Sequence, residues 1–177
     1  MRIFLLAASL RKESSNKALI SLCANYLGKN HEVDFAEFSE FDVPLYNGDI
    51  QEKDGIPQNA QNFSKRIKEA DKVIFSVPEY NYSVPGAFKN LIDWASRIRP
   101  IPYKDLKILI LTASTADCGG NRSYWHTKIP FEGCGAFVYP GTFSLAKTHK
   151  ILDSKGELRE EKLLQQLHSL LDEFTLH

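Results

Sequence analysis

Hydrogen-bond donors are concentrated in a polar stretch at residues 9–16. The donors that could bind a ligand include the side chains of Ser9, Arg11, Ser14, Ser15 and Asn16. The stretch ends where a segment with helical spacing begins, and the free N–H groups and dipole of a helix N-terminus favour an anion. Arg11 could add a charge-assisted contact, so the stretch predicts a phosphate site. Ser15 or Asn16 could instead only cap the helix, and this loop alone does not decide between the two.

A second stretch, residues 78–86, joins a β-rich run to a helical segment that begins at Pro85. It begins with a proline, a carboxylate, two aromatic rings and an amide: Pro78, Glu79, Tyr80, Asn81 and Tyr82. Backbone groups here could bind the polar edge of a flat ring while a tyrosine covers its apolar face. The alternative is that Tyr82 and Trp94 only fill the core, which is the favoured interpretation for Trp94.

A third stretch, residues 114–120, follows another apolar run, and Gly119 and Gly120 in it permit close approach of the backbone to a ligand. A turn without a role is the alternative. Cys118 is more simply explained as a passive cysteine, and His126 as a surface or packing residue, than as reactive groups. The histidines show no metal-ligand spacing, so we expect no metal site.

Apolar and β-rich runs alternate with helical segments along the chain, which predicts a doubly wound α/β fold. The five predicted strands are residues 2–8, 31–38, 73–77, 106–114 and 136–139. We expect one domain over residues 1–177, with a parallel sheet of order 2-1-3-4-5, strand two at an edge and helices on both faces. In that order strands one and three flank the switch point, so their two polar loops meet at one crevice.

Composition narrows the classes of partner. The 22 basic and 22 acidic residues cancel, which argues against binding to nucleic acid or an anionic membrane and favours small molecules. Three cysteines without CxxC spacing argue against a disulfide framework or a zinc site. The apolar run after Met1 is too short for a secretory signal or a membrane span, so we expect a cytoplasmic protein.

Two ordered motifs resemble those of a known family. The first is Ala8-Ser9-Leu10-Arg11-x-x-Ser14-x-Asn16; the second is Pro78-Glu79-Tyr80-Asn81-x-Ser83-x-Pro85-Gly86-x-x-Lys89-Asn90-x-x-Asp93-Trp94. Followed by Gly119-Gly120-x-Arg122, they resemble the NADPH-dependent FMN reductases, which include quinone, azo and chromate reductases. The resemblance spans most of the chain and implies a flavodoxin-like three-layer sandwich, with FMN at the carboxyl edge of the sheet and a homodimer or homotetramer.

The resemblance also implies roles for matched residues. Ser9, Arg11, Ser14 and Asn16 would hold the FMN phosphate, with Ser15 beside them in the same loop. The isoalloxazine would be lined by Pro78, Glu79, Tyr80 and Asn81, and the ring pocket completed by Ser114, Gly119 and Gly120. Two departures are Ala8, where the family usually has glycine, and residues 123–130, which replace a more regular helix and leave the nicotinamide side and substrate choice open.

The function we expect is an FMN-dependent NAD(P)H oxidoreductase. Hydride passes from NADPH or NADH to the flavin N5 and then to a quinone, azo compound, metal oxyanion or free flavin, with ping-pong kinetics and no catalytic side chain. One alternative is a flavodoxin-like electron carrier without its own NAD(P)H activity. Carriers are commonly acidic, so the neutral charge favours the enzyme. A flavin-free interaction protein is a third possibility.

Overall fold

The computed structural model describes all 177 residues as a parallel β-sheet with helices on both faces. The strands are β1 (Arg2–Ala7), β2 (Glu32–Ala36), β3 (Lys72–Ser76), β4 (Lys107–Ala113), β5 (Phe137–Val138) and β6 (Ser144–Leu145). The helices are α1 (Ser15–Leu27), α2 (Gly48–Asp54), α3 (Gln58–Lys68), α4 (Gly86–Ala95), α5 (Asn121–Gly133), α6 (Thr148–Ile151) and α7 (Glu161–Leu176), with a 3-10 helix at Phe38–Phe41.

The strand order is β2-β1-β3-β4-β5, which confirms the predicted flavodoxin-like topology, with β2 at an edge. A sixth strand that was not predicted, β6, pairs in parallel with the last residues of β4, whereas β5 pairs with its first residues. The fifth position of the sheet is therefore shared between two short strands.

Two apolar clusters lie on opposite faces of the sheet because successive side chains of a strand point to opposite sides. Phe4 and Leu6 of β1 belong to the cluster that also includes residues of α3, α4 and α5. Ile3 and Leu5 belong to the cluster formed with α1 and α7. The continuous apolar runs of the sequence follow from this two-sided burial.

Three expectations from the sequence differ in detail from the structure. Residues 41–55 have no apolar periodicity and contain Pro44, Asn47 and Gly48, which predicts an irregular surface excursion. They contain α2, which buries no residue and so has no apolar stripe to reveal it. The weak helical spacing around Trp125 predicts a helix that Pro130 interrupts, but α5 continues to Gly133. Trp94 is fully buried, as favoured, but Tyr82 is 68% exposed, so its alternative role in the core is wrong.

No helix combines the length and the apolar composition needed to span a membrane.

Candidate functional site

Three loops converge at the carboxyl ends of β1, β3 and β4. Backbone hydrogen bonds fix their starting points, since Ala8 N–H donates to Ser76 O and Val77 N–H donates to Leu111 O, both at 2.9 Å. A cavity of about 170 Å³ opens between the loops. It is lined by Ser9, Arg11, Ser14, Ser15, Asn16, Pro78, Glu79, Tyr80, Ala113, Ser114 and Thr115. The two polar loops predicted to share one crevice therefore do so.

The first loop presents donors without partners. The backbone N–H groups of residues 10–15 make no hydrogen bond within the chain, and the exposed Arg11 guanidinium takes part in no ion pair. The helix cap is Ser14, not Ser15 or Asn16 as weighed from the sequence, because its hydroxyl accepts from the Asn16 N–H at 3.3 Å. Free N–H groups at a helix N-terminus beside an arginine suit a phosphate.

Two other polar residues of this loop bond mainly to the protein. The Ser15 hydroxyl donates to the hydroxyl of Thr148 at 2.9 Å. Asn16 is 3% exposed, and its amide group donates to Ala113 O at 2.9 Å. Its carbonyl oxygen accepts from the Ser76 hydroxyl at 2.8 Å and from Ala113 N–H at 3.1 Å. Asn16 therefore joins the ends of three elements that form the cavity.

The second loop is a tight turn. Tyr80 and Ser83 exchange two backbone hydrogen bonds, of 3.0 and 3.1 Å, and the residues between them, Asn81 and Tyr82, have φ values of 49° and 65°. The N–H groups of Glu79 and Asn81 have no partner in the chain. Tyr80 lines the cavity and is 46% exposed, so an aromatic face and free backbone donors occur together here.

The Glu79 side chain bonds to α5. Its carboxylate accepts from the backbone N–H of Arg122 at 3.0 Å and from the guanidinium at 3.3 Å. Only 13% of the side chain is exposed. Glu79 therefore lines the cavity while its charge is matched by the N-terminal turn of a neighbouring helix.

The third loop packs closely on the sheet. A Cβ on Gly119 would lie 2.7 Å from Ser144 O, and one on Gly120 would lie 3.2 Å from Thr112 Cβ. The close approaches of these glycines are thus to β6 and β4. Gly119, Gly120 and Asn81 do not line the cavity, whereas the other predicted site residues do.

The residues fit FMN, because unpaired donors suited to a phosphate and an aromatic wall suited to a flat ring lie in one crevice. The family model described as NADPH-dependent FMN reductase matches residues 1–150. The chain belongs to the NADPH-dependent FMN reductase family. This confirms the predicted class of enzyme, an oxidoreductase that uses FMN and NAD(P)H, over the electron-carrier alternative.

Individual relatives agree with the family assignment. The chain is 33% identical over 176 residues to a quinone reductase of Escherichia coli, covering 98% of this chain and 93% of that protein. It is 30% identical over 176 residues to an NAD(P)H-dependent FMN reductase of Pseudomonas aeruginosa, covering 96% and 93%. The structure matches the flavoenzyme NAD(P)H:(acceptor) oxidoreductase FerB of Paracoccus denitrificans with a TM-score of 0.83 and 25% identity, covering 98% and 94% of the two chains.

The sequence assigned no role to some of the residues that line or contact the reductase site. Ala113 and Thr115 line the cavity on either side of Ser114, and the signal for them was only their adjacency to it. Arg122 belonged to a recognised motif, but its contact with Glu79 joins residues 43 apart, so no local pattern could predict it. No group of three or more His, Cys, Asp or Glu side chains is arranged to hold a metal ion.

Proposed function

We propose that this reductase holds the FMN phosphate in the first loop and the isoalloxazine against the second and third loops, and that it reduces a quinone or a related oxidised acceptor. The observation that carries the proposal is the shared cavity, which is lined by Arg11, Ser14 and Ser15 on one side and by Tyr80 on the other. The backbone N–H groups of residues 10–15 have no partner within the chain. The names of the relatives, quinone reductase and FMN reductase, support this class of acceptor.

The division of labour follows from the chemistry of each group. Bound FMN supplies the hydride chemistry, by accepting a hydride from a nicotinamide and passing electrons on. The chain binds the cofactor and orients its ring with backbone donors and an aromatic side chain. NAD(P)H and the acceptor would use the site in turn, which gives ping-pong kinetics.

A reconstitution experiment tests the proposal. The purified protein is incubated with excess FMN, desalted and titrated anaerobically with NADPH and then with NADH. A yellow protein whose visible flavin absorption is bleached by nicotinamide and restored by a quinone is expected. A colourless protein would overturn the flavin site, and a yellow protein that neither nicotinamide bleaches would favour an electron carrier.

Arg11 provides a sharper test of the phosphate half. Arg11→Ala removes a charged donor, so FMN affinity should fall by about 1.5–3 kcal/mol, the range for a hydrogen bond to a charged group. The measurement is a titration of FMN fluorescence, with Arg159→Ala as a control because Arg159 is also exposed and forms no ion pair. Unchanged FMN affinity in Arg11→Ala would contradict the assigned role.

We also propose that the chain assembles as a homodimer or homotetramer. Large apolar side chains remain exposed at the rim of the site and along α5, which supports self-association. They are Tyr80, Tyr82, Trp125 and Ile129, at 46%, 68%, 55% and 68% exposure. Light scattering that finds only particles of the 20.1 kDa chain would contradict this proposal.

A further inference from the structure

Two contacts connect the turn after β3 to helix α5. Before the turn, the Glu79 carboxylate accepts from the backbone of Arg122 at 3.0 Å and pairs with its guanidinium at 3.3 Å. After the turn, Nδ1 of His126 lies 2.8 Å from the hydroxyl oxygen of Ser83. These two contacts, Glu79–Arg122 and Ser83–His126, are called the α5 clamp below.

The turn between the two contacts has two successive residues in the left-handed backbone region. Asn81 and Tyr82 have φ values of 49° and 65°; asparagine tolerates this region, whereas a tyrosine disfavours it. Neither the Asn81 nor the Tyr82 side chain is anchored in the core, because both are exposed. The Tyr82 ring lies under the Arg122 guanidinium at 4.9 Å, which adds a third contact with the same helix.

We propose that His126 and Arg122 are positioning residues for the ring-binding half of the site. They act through Ser83 and Glu79 and hold the turn in the conformation that receives the isoalloxazine. The Glu79 carboxylate lies at the N-terminus of α5 and is bound there by Arg122. Its negative charge therefore stabilises the helix N-terminus and does not bind the ligand. The proposal rests on the proposed function for the identity of the ligand, but the contacts that carry it lie within this chain.

The positioning role and phosphate binding belong to different segments of the chain, so they can be tested separately. The α5 clamp holds the turn that contributes Tyr80 to the cavity, whereas Arg11 lies in the first loop. Riboflavin has the same ring as FMN and lacks the phosphate. Loss of the clamp should therefore weaken both ligands, whereas loss of Arg11 should weaken FMN alone.

The test is a double-mutant cycle on the Ser83–His126 contact. His126→Ala and Ser83→Ala should each weaken the binding of FMN and riboflavin by about twofold to thirteenfold, the loss expected for one hydrogen bond. The double variant should lose little more, since either change removes the same contact. His126→Asn can keep an amide group near the Nδ1 position and should recover most of the affinity. Fluorescence quenching gives the dissociation constants.

Two controls make the result specific. His31→Ala removes a histidine just before β2, at the opposite end of the sheet, and should leave both affinities unchanged. Arg11→Ala should lower FMN affinity while riboflavin affinity stays near that of the unsubstituted protein. The midpoint of thermal unfolding of each flavin-free variant shows whether a loss of affinity comes from the turn or from the fold.

Each outcome decides between the two proposals. If the unsubstituted protein binds neither flavin, the proposed function is overturned and the positioning role with it. If it binds both and His126→Ala binds them equally well, only the positioning role is wrong. Additive losses in the double variant, or a large fall in the unfolding midpoint of flavin-free His126→Ala, would also overturn the positioning role.

Discussion

Asn16 contributes to the wall of the reductase site mainly through the hydrogen bonds that it makes to the sheet. Its position at the start of α1 suggested a cap or a phosphate ligand, and the family resemblance also implied a role in holding the phosphate. The structure shows its side chain bonded to Ser76 and to both backbone groups of Ala113. Those partners lie 60 and 97 residues away, so local sequence could not reveal them.

Replacement of Asn16 should therefore destabilise the fold. Asn16→Ala leaves the buried donors and acceptor of Ser76 and Ala113 without partners, at a cost of about 1–3 kcal/mol for each group that water cannot reach. Chemical denaturation of the flavin-free protein measures the loss. Asn30→Ala is the matched control, because Asn30 is exposed and its side chain makes no hydrogen bond. Equal stability of the two variants would show that Asn16 is not a structural link.

At the scale of elements, apolar patterning explains which parts of the fold could be predicted. Strands β1, β3 and β4 are buried on both faces and appear in the sequence as continuous apolar runs. Strand β6 has two residues and α6 has four, so neither is long enough to show a period. The loops of the site were placed correctly because strand order decides which strand ends meet. The side-chain contacts among those loops depend on tertiary packing.

Substitution of Gly119 tests whether the close packing of the third loop on β6 is important for the site. Gly119→Ala would place a Cβ 2.7 Å from Ser144 O on a backbone with φ of 60°. The positive φ alone costs a residue with a side chain about 1–2 kcal/mol, and the clash adds to it. We expect lower stability and weaker FMN binding, measured by denaturation and by fluorescence titration.

Gly48 supplies the comparison for that substitution. A Cβ there would meet nothing within 4 Å, and Gly48 begins α2, where alanine is favourable. Gly48→Ala should therefore match or slightly exceed the parent in stability. If Gly119→Ala behaved like Gly48→Ala, close packing of the third loop on β6 would not be important for the site.

At the scale of the whole molecule, α1 and α7 cover one face of the sheet and meet through Tyr26 and His168. The two rings stack at 3.8 Å, and the Tyr26 hydroxyl donates to Asp172 at 2.9 Å. The pKa of His168 is lowered from 6.5, first by burial and then by the positive charge of Lys29, although Asp172 opposes this. The folded state therefore favours neutral His168.

This lowered pKa gives folding stability a defined dependence on pH. Below about pH 6.5 the unfolded chain takes up a proton at His168 more readily than the folded chain does, so stability falls as pH falls towards the folded pKa. Above pH 6.5 this contribution is fully present. His168→Phe keeps a ring on Tyr26 and cannot titrate, so it should lose part of the decline between pH 7.5 and 5.5.

Asp34 affects the free energy of unfolding at a lower pH than His168 does. Burial alone would raise the pKa of Asp34, but its bonds to Arg66 and Arg2 outweigh this and lower it from 3.8. Stability from this network is therefore lost only as pH falls below about 4, so it leaves the interval from 7.5 to 5.5 to other groups. Denaturation curves of the parent and His168→Phe at both pH values measure the difference. Equal slopes in the two proteins would show that His168 titrates alike in the folded and unfolded chains.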